Sequence, residues 1–472
     1  MKKTLSVLLA ICLAMGLLPV AALADAPNAK VTLAGKTLAI SAYDTPAYSV
    51  NVTSEVLDTE DNKFTAVGQT LTGAGEENWN AKFVWKTGDP VPTLYLKGFQ
   101  VDEYNEETNK WKARYQNAEE RQDPEKKGMA TKTAAVNIPT GQAMNIVITG
   151  EDSVIKCRFG ITYKSPLNIQ SEGTSKLTIQ NLSSAITSDI NEAQSKGYTL
   201  NINANLDISV QSYYNGAASH MIQTYKADLT IEGGNINIDT PADNFLLAIA
   251  AREGGNVHIK GGKITAVSAA GTASTNGAIQ ANKGKIIVDG GDLTLKPKHD
   301  VGMYATEGIE INGGKVYILS PYYAINAGTS DKPADIVING GTVEFEAERA
   351  CYSKVIKLGS GVQAYVGTNK EKCEVYDGSN PALLTKPWMI FSNEKLDIVV
   401  TEPTENIQIF IPPTSATTAP TTAPTQAATA PAANAGNQTE SGDSTVLLIV
   451  AAAIVLLAGA AVAVVLVKRK KA

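Results

Sequence analysis

Cysteine and histidine are nearly absent from this chain of 472 residues, with four and three respectively, and no stretch is strongly basic apart from its last few residues. Each scarcity excludes something. Beyond residue 24 only Cys157, Cys351 and Cys373 remain, and an odd number at irregular spacing is not a disulfide framework. The spacing leaves open whether Cys351 and Cys373 pair. His220, His258 and His299 each stand alone, with no histidine or cysteine at metal-ligand distance along the chain, so no zinc site is expected. The formal net charge is −6, and Lys2, Lys3, Lys468, Arg469, Lys470 and Lys471 sit at the ends, which leaves the body still more acidic. Nucleic acid is therefore not an expected partner.

Long apolar runs are confined to the two ends. Residues 1–24 begin with Lys2 and Lys3, continue through an apolar stretch, and close on Ala22-Leu23-Ala24, the three parts of a cleaved secretory leader. Cys12 lies mid-run behind Ile11, where a small residue would be needed for lipid attachment, and no LPxTG sorting motif follows later. Residues 446–467 carry no charge and are long enough, at about 1.5 Å per residue, to cross a hydrocarbon core of about 30 Å. The basic tail 468–472 comes directly after, which places that tail in the cytoplasm and the body of the chain outside. Residues 412–445 are mainly Thr, Ala and Pro, too poor in large apolar residues for a core and suited to a disordered, extended spacer. The expected location is thus a cell membrane crossed once, with an extracellular N-terminal part, in the manner of a Gram-positive surface protein.

What fills the middle is a repeat. Alternating apolar residues, two glycines and further alternation recur as LTIEGGNINI, VHIKGGKITA, IIVDGGDLTL, IEINGGKVYI and IVINGGTVEF. The glycine pairs begin at Gly233, Gly261, Gly290, Gly313 and Gly340, at steps of 23 to 29 residues. Between them runs a second ladder, a small or flexible residue followed by an apolar one: Gly160-Ile161, Ala185-Ile186, Met221-Ile222, Ala248-Ile249, Ala278-Ile279, Gly302-Met303, Ala324-Ile325 and Ala350-Cys351. Period-2 alternation reads as strand, and three strand types returning in fixed order cannot be a simple meander. One coil per repeat, with like strands stacked in parallel on three sheets, accounts for the order. The expected fold is all-β, a three-sheet parallel β-helix over residues 81–384. A β-rich cap is expected at 25–80 and cap strands at 385–411. Residues 102–127 and 190–197 read as excursions from the coils.

Residues 85–96 (WKTGDPVPTLYL), 136–155 (VNIPTGQAMNIVITGEDSVI) and 160–179 (GITYKSPLNIQSEGTSKLTI) resemble bacterial surface proteins described as carbohydrate-binding domain-containing. The resemblance spans roughly residues 80–380. It implies a right-handed helix, similar in fold to polysaccharide lyases, and polysaccharide or cell-wall glycan as partner.

Chemistry is harder to find than architecture. A lyase of this fold needs carboxylates on neighbouring coils for Ca²⁺ and an Arg or Lys as base. Asp289, Asp292 and Asp300 come nearest, Asp239 and Asp243 lie about two coils earlier, and turn solvation accounts for them as well. No catalytic residue and no cofactor is assigned, and Ca²⁺ is not indicated by a clear site. Arg158, Arg252 and Arg349 read as surface ion-pair partners. A binding face is easier to motivate, because residues following each apolar ladder member point away from it. Gln280, Tyr304, Asn326 and Tyr352 occupy consecutive coils in that row, and tyrosine faces with amide groups suit sugar rings. The expected function is carbohydrate binding or adhesion at the cell surface. The alternatives are a lyase or hydrolase acting on acidic polysaccharide, and a passive structural stalk.

Overall fold

The computed structural model describes residues 27–398, apart from single positions, short gaps and the stretches 55–63, 70–74, 112–133, 189–195, 211–218, 240–245, 269–276 and 378–382. The expected leader, linker, apolar anchor and basic tail lie outside the described residues, as do Arg158, Asp243, His299 and Asp300. Among the described residues no helix is long and apolar enough to cross a membrane.

Short strands follow from the alternation. In Val257–Ile259 and Ile286–Val288 the outer two residues are buried and the middle one is half-exposed, as period-2 side chains require when one face is packed. Like strands pair in parallel, coil upon coil. The first sheet runs from Ala134–Ile138 through Phe159–Tyr163, Ile186–Ser188, Ser219–Tyr225, Leu246–Arg252, Gly277–Ala281 and Val301–Ala305. The second runs from Thr93–Leu96 and Met144–Ile148 to Ile336–Ile338 and Ile356–Leu358. The third begins at Gln100–Asp102 and Ser153–Cys157 and proceeds through Asp292–Pro297. Strands Lys315–Ala327 and Thr342–Tyr352 run unbroken from the third sheet round the corner into the first. The architecture is a parallel β-solenoid.

Its interior is three columns. Ile161, Ile186, Ile222, Ile249, Ile279, Met303, Ile325 and Cys351 stack in register on the first sheet, as the repeat predicts. Ile146, Ile169, Ile202, Ile231 and Ile259 do so on the second. Ile155, Ile179, Ile208 and Ile238 do so on the third. All of these join one buried cluster reaching from Ala29 to Phe391. Burying each aliphatic side chain contributes about 1.5–3 kcal/mol. Cys351 is a free, buried thiol within this column, and Cys373 is also free, so the two do not pair. Burial pushes the Cys351 thiol far above its ordinary range, which fits a space-filler rather than a nucleophile.

Both glycine signals have steric causes. The second glycine of each pair has positive φ, from 81° at Gly341 to 95° at Gly291, and turns the chain from the second sheet into the third. These turns also stack. A Cβ on Gly314 would lie 2.6 Å from the carbonyl oxygen of Gly291, and one on Gly341 would lie 2.4 Å from that of Gly314. Where the residue before a first-sheet aliphatic is glycine, at Gly160 and Gly302, the third sheet crowds in. A Cβ on Gly302 would meet Ile318 Cγ2 at 2.3 Å.

Antiparallel strands close both ends. Ala29–Leu33 pairs with Lys36–Ile40 and lies against Ala134–Ile138. Ala81–Val84 covers Thr93–Leu96, and Ala47–Ser54 covers Ala81–Val84 in turn. At the far end Trp388–Ser392 lies antiparallel to Thr342–Glu346 and to Gln363–Gly367. Reversed strands occupy edges that would otherwise offer free backbone groups.

Candidate functional site

Along the first sheet, the row that faces away from the core is Thr162, Thr187, Gln223, Ala250, Gln280, Tyr304, Asn326 and Tyr352, each in register with the next. Alternation puts these residues opposite the apolar column, yet most of them are buried. Exposure is 0% at Thr187, 4% at Gln280, 7% at Tyr304 and 9% at Asn326, and only Tyr352 is half-exposed. Polar groups along the row are only partly satisfied: Gln223 Nε2 donates to Thr187 Oγ1 at 2.7 Å and Gln280 Nε2 donates to Asn282 Oδ1 at 2.5 Å, while Gln223 Oε1 and Gln280 Oε1 are buried without a partner.

Access opens at the last coils. A groove of about 370 Å³ is lined by Tyr304, Asn326 and Tyr352 together with Tyr322, Tyr323, Gly328, Thr329 and Ser330. The strand Lys315–Ala327 supplies its floor through Asn326 and one wall through the tyrosine pair. The turn that follows supplies the other wall. Gly328 has φ of 92°, and its Cβ would lie 2.3 Å from the nitrogen of Ala334, so only glycine fits where the turn folds back against Pro333. Mutual hydrogen bonds between the backbones of Thr329 and Lys332, 3.0 and 3.2 Å, hold the turn. Gln280 does not line this groove and lies one coil behind Tyr304.

The rings form a corner rather than a flat shelf. Tyr322 and Tyr323 meet edge to face, with centroids 4.5 Å apart and planes at 74°, and Tyr323 meets Tyr352 at 5.9 Å and 64°. Arg349, expected in ion pairing, donates from Nη1 to the Tyr323 hydroxyl at 3.2 Å, with its guanidinium 5.9 Å from that ring. Burial raises the phenols of Tyr304, Tyr322 and Tyr352 above their ordinary range, so they are neutral donors at physiological pH. The Oδ1 of Asn326 is buried and has no hydrogen-bond partner. Among the described residues the lining contains hydroxyls, rings and an amide, and no ionisable group besides the phenols.

Of the acidic residues considered for catalysis, Asp289 is engaged in side-chain hydrogen bonds. Asp289 accepts from Asn312 Nδ2 at 2.8 Å and from His258 Nε2 at 2.5 Å, and these bonds hold its carboxyl below the usual range. Asn312 in turn accepts from Asn339 at 2.7 Å, so the residues preceding successive glycine pairs form a surface chain. Asp292 lies in register between Lys263 and Lys315. Among the described residues no group of three or more His, Cys, Asp or Glu side chains could hold a metal ion.

The N-terminal cap carries features that the sequence did not single out. A second cleft, about 360 Å³, is lined by Tyr43, Trp85, Lys30, Gln142 and Met144 among others, with the two rings edge to face at 5.4 Å. Nearby, Lys82 Nζ lies 5.9 Å from each of the rings of Tyr48, Trp79 and Tyr95. The Tyr322-Tyr323 doublet beside a longer turn was the legible signal for the C-terminal groove. The cap cleft joins residues far apart in sequence, and no pattern announces it. No protein-family model, curated protein or solved structure matches the chain.

Proposed function

We propose that this chain is a carbohydrate-binding or adhesive module of the cell surface, exported by its leader and tethered by the apolar segment 446–467 beyond the spacer 412–445. The handedness is proposed to be right-handed, the sense that parallel strand crossovers overwhelmingly take. The observation that carries the binding reading is the tyrosine groove. It offers ring faces and edges, neutral phenols, hydroxyls and the Asn326 amide, a set that suits sugar recognition. Bond cleavage would need an acid and a base at the ligand, and the lining supplies neither as a carboxylate, imidazole or amine. This favours binding over the lyase or hydrolase alternative.

The test is a glycan array probed with the purified full chain, with Tyr352→Ala run alongside. Binding to polysaccharide or peptidoglycan that falls at least tenfold in the variant, roughly the scale of one lost stacking contact, supports the reading. An array with no bound glycan favours the passive stalk. Release of shortened or unsaturated products from a bound polysaccharide favours the enzyme.

A further inference from the structure

An unpaired buried acceptor is unusual enough to require an explanation, because leaving one unmade costs about 1–3 kcal/mol. Among the described residues Asn326 Oδ1 is such an atom, as are Gln223 Oε1 and Gln280 Oε1 further back in the row, and of the three only Asn326 belongs to a residue that lines the groove. Whatever completes it must bring a donor. The other residues of the lining narrow the choice. Recognition of a carboxylate or sulfate is ordinarily built on Arg or Lys forks, and neither residue lines this groove. The Arg349 guanidinium, outside the lining, donates from Nη1 to the Tyr323 hydroxyl. Carboxylates that would select an amino sugar or another cation are likewise missing from the lining. Hydroxyls of Thr329, Ser330 and the tyrosines can both donate and accept, as sugar hydroxyls do.

We infer that the groove selects an uncharged, hydroxyl-bearing glycan, with the Asn326 amide turning outward so that one sugar hydroxyl donates to its Oδ1 and with a ring face packed in the tyrosine corner. This rests on the glycan reading above and sharpens it, setting the ligand apart from the acidic polysaccharides that an enzyme of this architecture would be expected to cleave. The turn Thr329–Ser330 is exposed and closes over one side, so a chain end or a short internal stretch fits a space of about 370 Å³ better than a branched mass.

The experiment is calorimetric titration of the full chain with neutral hexasaccharides (gluco-, xylo- and manno-series), oligogalacturonate and choline chloride. Asn326→Leu and Tyr352→Ala are titrated in parallel. Thermal melts followed by circular dichroism establish that each variant is folded, and Tyr352, half-exposed, is the position least able to disturb the coil. The expected result is binding of a neutral series, weakened about tenfold in both variants, with oligogalacturonate at least tenfold weaker. Preference for oligogalacturonate, lost in Tyr352→Ala, would overturn the neutral assignment and leave the glycan reading standing. Unchanged neutral-sugar affinity in a folded Asn326→Leu would overturn the role of Asn326. Silence toward every sugar, or choline binding that Tyr352→Ala abolishes, would overturn the glycan reading itself.

Discussion

At the scale of single residues, two glycines with nearly the same backbone angle should behave differently. Gly314 has φ of 85° and Gly361 has φ of 81°. A side chain at either must adopt the left-handed conformation, which costs about 1–2 kcal/mol. At Gly361 nothing lies within 4 Å of the added Cβ, whereas at Gly314 the added atom would meet Gly291 O at 2.6 Å and Gly290 C at 2.8 Å. Gly361→Ala should therefore lower stability by that strain alone. Gly314→Ala should lower it further, because it forces two coils apart. Urea midpoints of the two variants measure the difference, and equal midpoints would mean that the turns can slide past one another.

At the scale of elements, the corner strand Thr342–Tyr352 ties Lys315–Ala327 to the cap. Tyr317 donates its hydroxyl to Glu346 Oε1 at 3.0 Å, and Trp388 of the cap strand donates to Glu344 Oε1 at 3.0 Å. Burial, then the bond to Glu346 and its charge, push the Tyr317 phenol up to about 12. The folded value lies above the unfolded one, so the neutral phenol is favoured in the native state. Its contribution is complete below about pH 10 and is lost as pH climbs from there to about 12. In Tyr317→Phe, stability measured by denaturant titration across this window should fall less steeply than in the parent. Parallel curves would show that the phenol ionises equally easily in both states.

At the scale of the whole molecule, the ends decide whether the rod stays single. Trp388–Ser392 covers Thr342–Glu346, and Gln363–Gly367 covers Trp388–Ser392. A chain stopped after residue 360 would uncover the last third-sheet strand, whose inner residues Val343 and Phe345 are buried here. End-to-end association should follow, visible by light scattering as a mass that rises with concentration. The solenoid itself was legible in the sequence because its cause is periodic. Each column residue returns once per coil, so Ile161 through Cys351 could be aligned from spacing alone. The site was legible only in part, for two physical reasons. Strand alternation says which way Gln280, Tyr304, Asn326 and Tyr352 face, and says nothing about cover, which leaves only the last of them half-exposed. The turn beyond Gly328, which turns a row of tyrosines into a groove, belongs to no repeat.

The stacked glycine turns carry a consequence for how such a chain can change its length over generations. Each turn is shaped to rest on another turn of its own kind, so a duplicated segment of 23 to 29 residues that includes one glycine pair arrives with its seating already made. In-frame copying of the gene can thus lengthen the rod by about 4.8 Å at a time, leaving both caps and the tyrosine groove as they were.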